Sequence, residues 1–201
     1  VSLRIIGLSG YAGAGKDTVA DLLVREHGYR KFAFADRLKE LLLEIDPIID
    51  APGFEDTRGV PLDWSCRRVS DLVEDLGWDD AKRKFPEVRR LLQVTGEAVK
   101  SLINPYVWVG QVLEQLPNSG RVVISDVRFL HEAKALSDRV HMLRGQFKVV
   151  RVHRDGVGPV NDHVSEYFSP GTEDHLLDLS ATDLSDMPLK VRELAELVET
   201  W

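Results

Sequence analysis

The chain has 201 residues, 43% of them hydrophobic, which suffices for a packed domain with a sizeable core and argues against disorder. Its formal net charge of −7 excludes a large nucleic-acid footprint, which needs a basic face, but leaves room for local basic clusters that bind small anions. A single cysteine, Cys66, excludes an intramolecular disulfide and fits a reduced, cytoplasmic setting. No run approaches the roughly 18 apolar residues of a spanning helix, so no membrane partner is expected, and the opening LRIIGL reads as a strand, not a signal peptide.

In chain order, Leu3 to Leu8 is a short apolar run suited to a buried parallel strand. GLSGYAGAGKDT follows, Gly7 to Thr18, and then Val19, Leu22 and Leu23 recur at helical spacing. Strand, glycine loop and helix form the context of a phosphate-binding P-loop, G-x-x-x-x-G-K-[ST]. Gly10, Gly13 and Gly15 let backbone N–H groups approach phosphate, the helix N-terminus adds its dipole, and Lys16 supplies a mobile positive charge. The motif departs at one position: Asp17 stands where Ser or Thr would hold magnesium, and Thr18 comes one residue late, turned by about 100° around the helix. G-K-x-T loops occur in small-molecule phosphotransferases of the adenylate kinase type. Thr18 can there bond a donor phosphate while magnesium is held through water. Asp17 either orders such a water or complements the helix dipole. No N-K-x-D guanine-reading tetrapeptide is present.

Tyr29 to Phe34 reads as a second strand, and Leu38, Leu41, Leu42 and Ile45 as an amphipathic helix. Residues 46–61 carry prolines and glycines and read as loop. Three helical segments follow without a strand signal: 67–76, a face of Val88, Leu91, Leu92, Thr95 and Val99, and a face of Val109, Val112, Leu113 and Leu116. RVVIS, Arg121 to Ser125, is a strand ending in Asp126. A carboxylate at that end of a parallel strand overlies the ligand crevice, where it can hold magnesium water or orient an acceptor. The alternative is an N-cap for the next helix. That helix carries Leu130, Ala133 and Leu136. Arg128 and Glu132, read at i, i+4 on one of its faces, form either an ion pair or part of the site. Phe147 to His153 is a strand closed by Arg151 and bordered by Arg154. Residues 156–171 form a glycine- and proline-punctuated loop, 176–181 a last short strand and 189–198 a closing helix.

This alternation implies an α/β fold with a mainly parallel sheet. The core is assigned to residues 1–45, 118–154 and 171–201, a helical insertion to 46–117 and a lid to 155–170.

Five segments in order, GLSGYAGAGKDT, KFAFADRLK, RRLLQVTGEAVKSLINPYVWV, VISDVRFLHEA and DHVSE, resemble the deoxynucleoside monophosphate kinases of bacteriophages. The resemblance spans roughly residues 5–166, with 46–84 unmatched. It implies a P-loop kinase fold, a parallel five-stranded sheet flanked by helices, with a helical acceptor-binding insertion and a lid. It implies phosphoryl transfer from ATP, with Mg2+, to a deoxynucleoside monophosphate, giving the diphosphate and ADP. Gly13, Ala14, Gly15, Lys16, Asp17 and Thr18 would hold the donor phosphates. Phe34, Ala35 and Lys39 would line the acceptor side. Arg67, Arg68 and Arg90 would clamp its phosphate, with Gln93 and Trp108 near base or sugar. Arg67 and Arg68 also read as solvated helix charges, and Trp108 as core. Arg151 and Arg154 would face the donor base or the transferring phosphate.

In DHVSE, His163 reads as an exposed loop histidine, and a zinc site with no cysteine and one histidine is disfavoured. The expected partners are dNMP and ATP, with a homodimer as the candidate assembly and the host cytoplasm as the location for a phage-encoded chain. Rival readings are a dephospho-coenzyme A or phosphomevalonate kinase, and a non-catalytic ATP-binding switch.

Overall fold

The computed structural model describes residues 2–49, 67–159, 173–180 and 185–200. The elements follow in the order β1 (Leu3–Ser9), α1 (Lys16–His27), β2 (Arg30–Phe32), α2 (Phe34–Ile45), β3 (Ile48–Ile49), β4 (Arg67–Arg68), α3 (Val69–Lys84), α4 (Pro86–Leu102), α5 (Val107–Gln115), β5 (Gly120–Ile124), α6 (Leu130–Met142), β6 (Gln146–His153), β7 (His175–Asp178) and α7 (Met187–Glu199).

Among the described residues one five-stranded sheet has the order β2-β5-β1-β6-β7, and every neighbouring pair is parallel. This is the parallel five-stranded sheet flanked by helices expected from the sequence. β1 lies at the centre because its residues are apolar on both faces, as a strand covered by helices on either side must be. Ile6 and Leu8 join Val123, Val150 and Val152 in a core closed by α1 (Val19, Leu22, Leu23) and α7 (Val191, Leu194, Val198). On the other face Gly7 lies under Val127 and Phe147, and α6 packs across β1 and β6.

The chain divides into two compact units. One comprises 1–34 with 109–201 and carries the five-stranded sheet; the other comprises 35–108. The second unit has its own core, in which Leu42, Ile49, Val69, Leu72, Ala81, Phe85 and Val88 are buried together. It takes in α2 from Ala35 onward, which the sequence reading gave to the larger unit, while Phe34 stays with the sheet.

Several local expectations are corrected. The second strand ends at Phe32, and Phe34 already opens α2. Residues 48–49 and 67–68 pair as a two-stranded antiparallel ribbon, inside a block read as strand-free. Arg67 therefore lies on a strand, and helix α3 starts at Val69. That helix runs past Leu76 to Lys84, broken by non-helical backbone at Gly77. The last strand sits at His175–Asp178, earlier than read. Cys66, His163 and most of the lid segment lie outside the described residues.

Candidate functional site

The loop joining β1 to α1 turns on three glycines with positive φ: Gly10 at 128°, Gly13 at 83° and Gly15 at 99°. Gly10 is required for a second reason. A Cβ there would stand 2.3 Å from the carbonyl oxygen of Val152 on β6, so the loop lies directly against the neighbouring strand. Gly15 occupies the N-cap position of α1 without a side-chain cap, which leaves the first-turn N–H groups without one.

Lys16 is the first residue of α1 and is only 8% exposed. Its ammonium donates to the carbonyls of Gly10 and Tyr11, each at 2.7 Å. A buried ammonium needs such partners, and these two carbonyls bend the side chain back over the loop. Ser9, fully buried at the end of β1, has a hydroxyl with no hydrogen-bond partner.

Asp17 and Thr18 are both exposed. Lys31, on β2, bridges Asp17 at 3.0 Å and Asp21 at 2.9 Å, so Asp17 has a cationic partner that its local sequence did not reveal.

Asp126 follows β5, the strand beside β1, at its C-terminal end. It is not the N-cap of the next helix: α6 starts at Leu130 with Phe129 at the N-cap position. Its Oδ1 instead accepts the backbone N–H of Phe34 at 2.8 Å, satisfying a first-turn donor of α2. Arg128 precedes α6, which corrects its placement on a helix face with Glu132. Glu132 Oε2 accepts the backbone N–H groups of Arg128 (2.7 Å) and Phe129 (3.0 Å), tying the start of α6 to the segment that leads into it from Asp126. Glu132 is 7% exposed. Burial pushes its carboxyl up to about 7, with the Asp126 charge adding to the rise and the backbone bonds from Arg128 and Phe129 opposing it.

From β6, Arg151 stacks over the Tyr11 ring at 5.6 Å and pairs with Glu173 at 3.1 Å. The Arg154 guanidinium reaches to 3.9 Å from the point where a Cβ on Gly15 would stand. The fold thus gathers Gly13, Ala14, Gly15, Lys16, Arg151 and Arg154 around one loop, with Tyr11 a contributor that the motif hides in one of its variable positions.

The smaller unit holds the remaining sequence candidates, each with local partners. Arg67 bonds Asp75 and the Asp71 carbonyl, the latter at 3.1 Å. Arg68 donates to the Asp46 carbonyl at 2.8 Å. Arg90 makes a two-pronged pair with Glu87 at 2.6 and 2.7 Å on exposed α4 surface. Lys39 pairs with Asp36 at 3.1 Å. Ala35, Gln93 and Trp108 are half-buried. The Trp108 indole N–H donates to the Gly96 carbonyl at 3.3 Å, which docks the ring on α4.

No magnesium-binding cluster of three or more His, Cys, Asp or Glu side chains exists among the described residues. Magnesium on a nucleotide needs only one or two carboxylates besides phosphates and water. The Asp126 carboxylate, fixed by the Phe34 N–H at the strand end beside the loop, fits that requirement. No helix among the described residues is long and apolar enough to cross a membrane.

No protein-family model matches the chain. It is 28% identical, over 81% of its length and 80% of the relative's, to the protein of Acanthamoeba polyphaga mimivirus named "Putative deoxynucleotide monophosphate kinase". Among solved structures, the Mycobacterium tuberculosis APS kinase CysC in complex with AMPPNP and APS aligns over 98% of both chains at 17% identity and a TM-score of 0.49. Shikimate kinase from Bacteroides thetaiotaomicron aligns over 98% of both chains at 16% identity and a TM-score of 0.45. The chain has a parallel five-stranded sheet with a glycine loop between its central strand and first helix, and its sequence resembles the deoxynucleoside monophosphate kinases both in its ordered motifs and in this viral relative.

Proposed function

We propose that the protein transfers a phosphoryl group from ATP to deoxynucleoside monophosphates, giving the diphosphate and ADP. The observation that carries this reading is Lys16, nearly buried at the N-terminus of α1, its ammonium folded onto a loop of left-handed glycines. Such a loop offers backbone N–H groups to phosphate, and the lysine exchanges two carbonyl partners for phosphate oxygens when a nucleotide enters. The mimivirus relative's name and the five ordered segments support a deoxynucleotide as the acceptor.

Little covalent work falls to the protein, because the acceptor phosphate is itself the nucleophile. Lys16 would neutralise charge that grows on the transferring group. Arg154, close to Gly15, is placed to add a second cation on the donor side. Arg151, stacked on Tyr11, would flank the donor. Asp126 would orient water on Mg2+, with Asp17 and Thr18 at the start of α1 as further candidates for that shell. The ion, when bound, supplies charge neutralisation between the phosphates. Arg128 would act beside Asp126. Phe34, Ala35, Lys39, Arg67, Arg68, Arg90, Gln93, Trp108 and Glu132 are the acceptor-side candidates. Arg67, Arg68 and Arg90 would have to exchange their present carboxylate partners for an acceptor phosphate.

The test is acceptor-dependent ADP release, measured over dAMP, dGMP, dTMP, dCMP and their ribose forms, with dephospho-coenzyme A and phosphomevalonate as rival acceptors. Turnover with at least one deoxynucleotide, lost by about a hundredfold or more in a folded Lys16→Ala variant, is the expected result. Turnover of only the rival acceptors would move the chain to a different kinase class. ATP binding with no acceptor-dependent release would make it a switch.

A further inference from the structure

Asp17 stands in the first turn of α1, one residue after Lys16, where the phosphate-loop pattern carries a hydroxyl that binds magnesium. A carboxylate there brings a full negative charge in place of a neutral oxygen. Left uncompensated, it would attract a divalent ion more strongly than a hydroxyl does. The fold compensates it from a different element.

Lys31 lies on β2, the edge strand of the sheet. It is in register with Val123 of β5, which is in turn in register with Ile6 of β1. Ile6 and Val123 are buried in the core that α1 covers. Side chains in register across a parallel sheet point to one face, so Lys31 reaches toward α1. On that helix Asp17 and Asp21 are four residues apart and share a face. The Lys31 ammonium lies 3.0 Å from Asp17 and 2.9 Å from Asp21. Burial by itself would lower this group, but hydrogen bonds and charge from Asp21 and Asp17 outweigh it and hold it above its ordinary value. Near neutral pH it is therefore a full cation. The Lys31 side chain is 30% exposed and that of Asp17 71%, so the sheet anchors the lysine while Asp17 is the partner able to turn away. Asp21 keeps the ammonium in place whichever way Asp17 points.

We propose that Lys31 is a positioning residue for the metal site: it holds Asp17 toward β2, away from the divalent ion that accompanies the nucleotide, and so sets how tightly that ion is bound. Lys31 acts through Asp17 and needs no contact with nucleotide or ion. This rests on the glycine loop taking a nucleoside triphosphate with its metal, as in the proposed function, but on no particular acceptor.

The test uses AMPPNP with Mn2+ in place of Mg2+ and no acceptor, so turnover does not enter. With protein in excess over nucleotide, free Mn2+ is read from its electron paramagnetic resonance signal. Lys31→Met and Lys31→Gln should each lower the Mn2+ dissociation constant by roughly two- to fivefold, the range expected for releasing an exposed ion pair. Lys31→Arg keeps the cation and should stay within about twofold of the parent. The double variant Lys31→Met with Asp17→Asn should return to about the parent value, because one charge of each sign has been removed. A constant unchanged in both neutral variants overturns the proposal. So does a tightening that survives in full in the double variant, since Lys31 would then act as a general repulsive charge without Asp17. A parent that binds no Mn2+ with AMPPNP would sink the nucleotide reading and this proposal together, whereas the expected shifts in a protein that phosphorylates no deoxynucleotide would uphold the proposal and remove only the acceptor assignment.

Discussion

Glu132 shows how one buried side chain can tie stability to pH. Its carboxyl is raised to about 7 in the folded chain, above its ordinary 4.5. Between these values the folded protein keeps a proton that the unfolded chain has released. Stability therefore falls as pH rises through that window and levels off above it. The full effect is on the order of 3 kcal/mol. Glu132→Gln keeps an oxygen for the Arg128 and Phe129 N–H groups but cannot ionise. Urea unfolding in the absence of magnesium, at pH 5 and pH 8, should show a shallower decline in the variant than in the parent; equal declines would remove Glu132 as the cause. Of this, the sequence made only the residue visible. The i, i+4 spacing suggested an ion pair on a helix face, whereas the chain from Arg128 to Phe129 is still turn, and its N–H groups claim the carboxylate. Lys16 and the three loop glycines were readable because their chemistry is local. The partnership of Lys31 with Asp17 was not, since it depends on how β2 lies beside α1.

At the scale of elements, two junctions decide how the larger unit is held. Asp126 caps the start of α2 from the end of β5. Asp126→Ala should cost about 1 kcal/mol of stability, whereas Asp126→Asn retains an acceptor and should cost less. If the carboxylate also orders magnesium water, both variants should lose kcat, and a kcat that falls only in step with stability would reduce Asp126 to a cap. The second junction is Gly10 against Val152. Gly10→Ala meets both a positive φ and a carbonyl oxygen at 2.3 Å, and should cost about 3 kcal/mol, a loss readable as a lower urea midpoint. An unchanged midpoint would mean that the loop moves away from β6 freely. The long periodic helices and the apolar strands were legible in the sequence. The β3–β4 ribbon was not: its strands are two residues long, one of them is a pair of arginines, and their partners lie far apart in sequence.

For the whole molecule, two separate cores predict two responses to ligand. A non-hydrolysable ATP analogue at a hundred times its Kd adds about 2.7 kcal/mol to whatever it binds. Hydrogen exchange should slow in β1, α1 and β6 more than in α3 and α4; equal slowing everywhere would mean that the donor contacts both units or that they unfold as one. The acceptor gives a second global readout. Excluding an added hydroxyl through apolar packing alone is worth roughly 10–200-fold, so kcat/KM should favour deoxynucleotides over ribonucleotides by about that factor. Equal use of both sugars would refute selection at the 2′ position.

The strand order also has a consequence for how the chain is made. β1 is made before both of its neighbours, β5 and β6, with Leu3 in register with Gly120 and Arg4 with Gln146. During synthesis the glycine loop thus hangs from an apolar strand that has no neighbour until β5 has left the ribosome and keeps one open edge until β6 follows, while the smaller unit, contiguous in sequence, can already collapse on its own core. Closing contacts of such sequence separation is slow and leaves strand edges exposed in the interval. A nascent chain halted between the smaller unit and β5 should therefore bind chaperones through β1, and only chains released after β6 should resist a protease that cuts within the loop.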